Sequence, residues 1–168
     1  MITTRRLIIM RHAKSDWSTD ATSDHQRPLN KRGRRDAPRI AQELAARGWV
    51  PDYVVSSDSS RTRETFERMA PFFDDELQAD FLYALYHAGL SELSDVLFTV
   101  DDSYESILAL GHNPGWQEAV SWLSGQFGIP MSTANAALLE IEADTWRGGL
   151  QQAGHWTLVD VIRPKELD

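Results

Sequence analysis

The sequence predicts an α/β protein, a three-layer α/β/α sandwich with a mostly parallel mixed sheet, formed by one domain over residues 1–168. Short apolar runs alternate with segments of helical periodicity along most of the chain, which is typical of a parallel sheet covered by helices. Two strand-like runs at the end add an antiparallel pair. With 168 residues, of which 42% are apolar, the chain is long enough to bury a core.

Apolar runs define the predicted strands. The parallel strands are predicted at Leu7–Met10, Tyr53–Ser56, Gln78–Leu82 and Ser106–Leu110. The first run is wholly apolar, as in strands that are buried on both faces. The tail predicts two more strands, Ala137–Ile141 and Trp156–Ile162, joined by a glycine-containing turn near Arg147–Gly149.

Helical spacing and capping residues define the predicted helices. Ala37, Ile40 and Leu44 follow helical spacing, with Asn30 as a candidate cap and Gly48 as a stop. Further helices are predicted over Ser57–Ala70, over Leu90–Val100, and from Asn113-Pro114, where asparagine caps and proline occupies the first turn.

Composition excludes several classes of function. The chain has no cysteine, which excludes disulfides, thiolate nucleophiles and iron–sulfur clusters. The apolar run Leu7–Met10 is too short for a signal-peptide core, and no run approaches a membrane span. We therefore expect a cytoplasmic protein without a membrane partner.

The charge is divided unevenly between the two halves. The net charge is −8, yet residues 1–70 hold 14 basic and 9 acidic side chains. An acidic chain binds nucleic acid poorly, so no nucleic-acid partner is expected. Arginine outnumbers lysine 14 to 3, and arginine suits bidentate capture of phosphate or carboxylate. A local anion site in the first half fits these numbers.

Polar residues follow three of the predicted strands. Arg11-His12 follows the first strand, Ser57 and Arg61 follow the second, and Gly111-His112 follows the fourth. Because ligands bind at the carboxyl ends of strands in open parallel sheets, we expect these residues to converge. Arg61 also falls in a first helical turn, where free N–H groups favour an anion.

These segments resemble the motifs of the histidine phosphatase superfamily, also called the phosphoglycerate mutase-like superfamily. Arg11-His12-Ala13 resembles its Arg-His-Gly signature, Ser57-x-x-x-Arg61-x-x-x-Thr65 its second motif, and Gly111-His112-Asn113 its third. The resemblance extends over nearly the whole chain and is greatest to the small SixA-type phosphohistidine phosphatases. It implies a phosphoglycerate mutase-like fold.

The resemblance also implies a role for each residue. His12 would attack phosphorus and form a phosphohistidine intermediate, which water hydrolyses. Arg11, Arg61 and His112 would clamp the phosphate oxygens. The second ring nitrogen of His12 should donate to a fixed acceptor such as a backbone carbonyl. Possible rim residues are Lys14, Ser18, Ser57 and Tyr83.

No cofactor and no metal are implied, because two guanidiniums and an imidazolium supply the positive charge. No set of His, Asp and Glu residues has metal-ligand spacing. Among the other histidines, His25 is interpreted as a loop residue that could border the site, and His87 as a surface residue or a lining residue of the pocket.

The chain departs from the family pattern at three positions. Ala13 replaces the signature glycine, and Ser18 stands where many relatives carry a phosphate-binding asparagine. Mutases and many phosphomonoesterases use a glutamate as general acid; here Tyr83 occupies the comparable position, with Asp80 and Glu92 nearby.

We therefore expect a metal-independent phosphatase whose substrate carries phosphohistidine, on a protein partner. A phosphatase for small phosphomonoesters is the alternative, and it would need Asp80 or Glu92 as the acid. Mutase activity ranks third, because a mutase needs a closed pocket and an acid. A non-catalytic phosphate-binding module would not require the nucleophile His12.

Overall fold

A six-stranded sheet forms the centre of the protein in the computed structural model, which describes residues 2–17 and 21–168. The strands are β1 (Thr3–Arg11), β2 (Tyr53–Ser57), β3 (Gln78–Leu82), β4 (Ser106–Gly111), β5 (Ala136–Ala143) and β6 (Thr157–Ile162). Their order across the sheet is β3-β2-β4-β1-β5-β6. The first four strands are parallel, whereas β5 runs antiparallel to β1 and to β6. The predicted mostly parallel mixed sheet is confirmed.

Five α-helices lie in the described ranges: α1 (Lys31–Ala46), α2 (Ser60–Met69), α3 (Leu90–Leu97), α4 (Gly115–Ser124) and α5 (Trp146–Leu150). None of the helices in these ranges combines the length and apolar character needed to cross a membrane. Four of these helices, α1 to α4, overlap helices predicted from the sequence. The Asn30 side chain accepts a hydrogen bond from the Gly33 amide at 2.9 Å, as expected for the cap of α1.

The core consists of two apolar clusters, one on each face of the sheet. Leu7 and Ile9 of β1 belong to the cluster that also contains residues of α3, α4 and α5. Ile8 and Met10 belong to the other cluster, with residues of α1 and α2. Successive side chains of a strand point to opposite faces, so the sheet is covered by helices on both sides. This arrangement is the predicted three-layer sandwich.

Two predicted helix starts were wrong by a few residues. Ser57 is the last residue of β2, paired with Leu82, and the cap of α2 is Ser59, whose side chain accepts from the Thr62 amide. At α4 the cap position belongs to Pro114, after a cis peptide bond. The Asn113 side chain instead accepts a hydrogen bond from the Gln117 amide at 3.2 Å.

The predicted glycine turn near Arg147–Gly149 was also wrong, because this segment lies in the short helix α5. Two glycines in a row disfavour a helix on propensity alone. Burial of Trp146 and a hydrogen bond from the Gly148 amide to the Thr145 side chain overcome that preference. A Cβ on Gly149 would lie 3.3 Å from Ile141, so glycine lets α5 pack closely on β5.

The start of α1 packs directly on the loop after β1. The Asn30 amide donates to the Lys14 carbonyl at 3.0 Å, and a Cβ on Gly33 would lie 2.1 Å from the same oxygen. Gly33 therefore permits a backbone-to-backbone contact that places the loop beginning at His12.

We predict that Gly33→Ala lowers the free energy of unfolding by about 1–3 kcal/mol, because the new methyl overpacks a backbone contact. Helix propensity alone would favour alanine by about 1 kcal/mol. A decrease in the free energy of unfolding would therefore be due to the backbone contact. Urea denaturation measures it. Gln42→Ala, at an exposed position of the same helix, is the control. A stabilised Gly33→Ala protein would contradict this account of the packing.

Candidate active site

Three neighbouring parallel strands bring the predicted residues to one edge of the sheet. β2, β4 and β1 lie side by side, and Arg11 pairs in register with Gly111. His12 therefore emerges next to His112, with 5.3 Å between the ring centroids. The His12 amide donates to the Gly111 carbonyl at 3.1 Å, which fixes the two strand ends together. The structure brings together residues that are far apart in the sequence.

Arg61 lies between the two imidazoles. It belongs to the first turn of α2, and only 2% of its surface is exposed. Its Nε donates to His12 Nε2 at 3.3 Å, and its Nη2 donates to His112 Nδ1 at 3.2 Å. A single buried guanidinium thus contacts both histidines.

The protonation of His12 follows from its hydrogen bonds. Its Nδ1 lies 2.7 Å from the carbonyl oxygen of Ala13. Because a carbonyl only accepts, Nδ1 carries the hydrogen, and the unprotonated Nε2 accepts the hydrogen bond from Arg61. Burial, together with the charges of Arg61 and Arg11, lowers the pKa of His12 to about 3, although the hydrogen bond to Ala13 opposes this shift. His12 therefore presents a neutral nucleophilic nitrogen, held as the sequence comparison implied.

His112 is neutral for similar reasons. Its Nε2 lies 2.8 Å from the Ser57 hydroxyl, while its Nδ1 accepts from Arg61. Burial, followed by the Arg61 charge, lowers the pKa of His112 to about 2. The imidazolium expected at this position thus requires a bound anion to favour its proton. Ser57 orients His112 rather than lying at the rim.

Arg11 carries unsatisfied donors. Its Nη1 reaches the Met131 carbonyl only at 3.4 Å, and its buried Nε has no hydrogen-bond partner within the described ranges. Burial and the nearby Arg61 charge lower the pKa of Arg11, although a guanidinium stays charged at neutral pH. Two guanidiniums close together with spare donors favour an anion between them.

Asp24 is the site residue that the sequence did not reveal. Its carbonyl accepts from Arg61 Nη1 at 2.7 Å, and its Oδ2 accepts from Arg61 Nη2 at 3.0 Å. Tyr86 and His87 donate to the same Oδ2 at 2.5 and 3.0 Å. Burial alone raises the pKa of Asp24, but the hydrogen bonds from Tyr86 and Arg61 outweigh it and hold the pKa well below its usual range. Asp24 is thus an ionised carboxylate bound to Arg61.

Some of the remaining predicted residues lie at the site and others do not. Tyr83 lies at the mouth of the site and is 71% exposed. Lys14 lies in the loop after His12, with its carbonyl bound to Asn30. Ser18 lies outside the described residues. His87 reaches the site, with its ring centroid 5.0 Å from that of His112.

The two carboxylates considered as general acids are engaged elsewhere. Asp80 accepts a hydrogen bond from the Tyr53 hydroxyl, on the edge strand β3. Glu92 accepts from the Gly89 amide at 2.7 Å and so caps α3. Within residues 2–17 and 21–168, no group of three or more His, Cys, Asp or Glu side chains could hold a metal ion.

Comparisons with known proteins found similarity in sequence and in fold. A profile described as histidine phosphatase superfamily (branch 1) matches residues 7–85. A chloroplastic protein of Arabidopsis thaliana, itself uncharacterised, is 37% identical over 95% of this chain and 78% of its own length. An uncharacterised protein of Mycobacterium tuberculosis is 29% identical over 90% of this chain and 92% of its own.

Solved structures share the fold. A protein of Nakamurella multipartitia that carries the name phosphohistidine phosphatase SixA has a TM-score of 0.81 and 28% identity, covering 96% of both chains. A protein histidine phosphatase SixA complexed with tungstate has a TM-score of 0.81 and 22% identity, covering 97% of this chain and 99% of that chain. At 22% identity, the second likeness concerns the fold alone.

We predict that the free energy of unfolding decreases as the pH falls from about 6.5 to about 4. The pKa values of His12 and His112 lie at about 3 and 2 in the folded chain, against 6.5 as the ordinary value. The unfolded chain therefore binds protons in this window that the folded chain excludes. Each histidine adds up to about 1.4 kcal/mol per pH unit to the slope of the free energy of unfolding against pH. His112→Gln should make this slope smaller. Urea denaturation at a series of pH values measures the slope.

His155→Gln removes an exposed histidine and is the matched control for the loss of one imidazole. Equal slopes for the parent chain and His112→Gln would contradict a neutral buried His112.

Proposed function

We propose that this chain, which belongs to the histidine phosphatase superfamily (branch 1), dephosphorylates phosphohistidine on a protein partner through a phosphoenzyme intermediate on His12. One observation carries the proposal: the unprotonated Nε2 of His12 lies 3.3 Å from Nε of the buried Arg61. A nucleophilic nitrogen and a fixed cation therefore meet at one point, as phosphoryl transfer requires.

In the first step, the lone pair of His12 Nε2 leaves its hydrogen bond with Arg61 Nε and attacks phosphorus, and the P–N bond of the substrate breaks. The electron pair of that bond leaves with the substrate's ring nitrogen, so a substrate imidazole protonated on its other nitrogen departs neutral. His12 then carries phosphate on Nε2 and hydrogen on Nδ1. The Ala13 carbonyl at 2.7 Å stabilises the positive charge that the ring acquires.

In the second step, water attacks phosphorus and the bond to Nε2 breaks. The electron pair returns to Nε2, the water proton goes to phosphate, and His12 regains its neutral form. Arg11 and Arg61 would hold the phosphate oxygens in both steps. His112 would join them by taking up a proton from solvent on Nδ1, which breaks the hydrogen bond from Arg61, because Ser57 already engages its Nε2.

The site favours a leaving group that needs no acid. Asp80 and Glu92 are hydrogen-bonded elsewhere, and the low pKa of Asp24 leaves it without a proton to donate. An alkyl phosphate expels an alkoxide, for which a positioned acid is typically worth about 10²–10⁴-fold. A phosphohistidine expels a weakly basic imidazole, so this chemistry does not require the acid.

We predict that kcat/KM follows the leaving group across a substrate panel. Phosphohistidine peptide should be the best substrate, p-nitrophenyl phosphate intermediate, and sugar phosphates poorest, because only the last class needs a proton donor. Asp80→Asn and Glu92→Gln should change phosphohistidine hydrolysis by less than about twofold, since neither carboxylate faces the clamp. Release of inorganic phosphate measures each rate.

Fast sugar phosphate turnover that either substitution removes would support the small-molecule phosphatase instead. His12→Ala is the control for the intermediate: labelled substrate should leave base-stable, acid-labile phosphate on the parent chain and none on this variant. Full turnover by His12→Ala would overturn the mechanism.

A separate prediction concerns the clamp. Arg61→Ala should lower kcat/KM by about 10²–10³-fold, the usual cost of removing one transition-state donor. Arg68→Ala is matched to it, because Arg68 lies on the same helix in an exposed ion pair with Glu64. Steady-state kinetics on phosphohistidine peptide separates the two variants. Losses of similar size would show that general charge, rather than the clamp, assists the reaction.

A further inference from the structure

A row of aromatic rings leads from the buried histidines to the surface. Tyr86 packs edge-on against His112 with 5.4 Å between ring centroids, and His25 packs edge-on against Tyr86 at 4.8 Å. Tyr83 extends the row, with its ring 6.3 Å from His25 and 5.9 Å from Tyr86. We refer to His25, Tyr83 and Tyr86 as the aromatic row.

Two carboxylates hold the inner rings of the row in place. Nε2 of His25 donates to Asp58 Oδ1 at 2.7 Å, and the Tyr86 hydroxyl donates to Asp24 at 2.5 Å. The outer ring, Tyr83, is 71% exposed and keeps much of its surface open to solvent. The inner rings are therefore fixed before any ligand arrives, which lowers the entropy cost of binding.

The direction of attack places this row on the side of the leaving group. His12 lies at the floor of the site with 5% of its surface exposed. In-line displacement puts the leaving group on the far side of phosphorus from the nucleophile, which here is toward solvent. The aromatic row borders the buried histidines and ends in solvent, because Tyr86 packs on His112 and Tyr83 at the other end is 71% exposed.

We propose that the aromatic row, with Tyr83 as its open face, is the subsite that binds the imidazole ring of the phosphohistidine as it leaves. This inference rests on the proposed function and specifies how the substrate is recognised. A flat ring can stack on Tyr83 or meet its edge, whereas an alkyl chain or an amide nitrogen cannot.

Charge supports the same ligand. The ring of a phosphohistidine that carries a proton on its other nitrogen is cationic until the P–N bond breaks. The carboxylates of Asp24 and Asp58 lie beside the row, and Asp24 is ionised. Asp24 is paired with Arg61 and Arg27 at 3.0 Å, so Asp58 is the carboxylate beside the row that favours a cationic ring.

The test compares two P–N substrates, of which only one has a ring. Phosphohistidine peptide and phosphoramidate share the steps at His12, but phosphoramidate expels ammonia. Tyr83→Ala should lower the ratio of their kcat/KM values by about 2- to 10-fold, the range for one aromatic contact. Tyr83→Phe keeps the ring and should keep the ratio. Phe127→Ala removes an exposed aromatic that packs on Trp122 of α4, and is the matched control.

Inhibition by free imidazole gives a second measurement that does not depend on the chemical step. Free imidazole should inhibit phosphoramidate hydrolysis competitively, and Tyr83→Ala should raise its inhibition constant by a similar factor. Phe127→Ala should leave this constant unchanged.

The outcomes separate the subsite from the proposed function. If the parent chain hydrolyses both substrates and Tyr83→Ala leaves their ratio and the imidazole inhibition unchanged, the subsite is wrong and the function stands. If the parent chain turns over phosphoramidate but not phosphohistidine peptide, both proposals fail.

Discussion

The site depends on one buried cation. Burying a guanidinium is costly unless its donors are matched, and Arg61 meets that requirement with two neutral imidazoles and the carbonyl and carboxylate of Asp24. The relation is mutual, because the charge of Arg61 also helps to keep both imidazoles unprotonated. Without this cation, burial would still lower the histidine pKa values and Ala13 would still hold Nδ1 of His12, but the two imidazoles would lose the group that joins them.

The sheet explains how a chain of this size assembles such a cluster. Parallel strands end at the same edge, so β1, β4 and β2 deliver His12, His112 and Ser57 to one place without long insertions. The close contact of Gly33 with the Lys14 backbone then positions the loop after β1. The first turn of α2, which Ser59 caps, places Arg61 beside the two histidines. The strand order therefore places the two histidines together, and the helices place Arg61 and the loop after β1.

The sequence predicted the parts of the molecule that follow regular patterns. Buried apolar runs located the strands, and the residues after them located His12, Arg61 and His112. The short helix α5 escaped prediction because tertiary burial of Trp146 outweighed the low helix propensity of its glycines. Asp24 escaped because it lies in a polar loop without periodicity, and its partners Tyr86 and His87 come from another loop more than sixty residues away. The neutral state of His112 likewise depends on burial, which no sequence pattern measures.

The position of Asp24 connects the electrostatics to the choice of substrate. A carboxylate near a reacting phosphate can serve as an acid only if it holds a proton, and hydrogen bonds from Arg61, Tyr86 and His87 prevent that here. The same bonds that stabilise the buried cation thus remove the group that could have protonated an alkoxide. Under the proposed function, Arg11, Arg61 and His112 would stabilise the transferring phosphoryl group, and the substrate would have to supply a good leaving group. Imidazole would meet that need, and the aromatic row beside Asp24 is the flat surface on which we propose that it leaves.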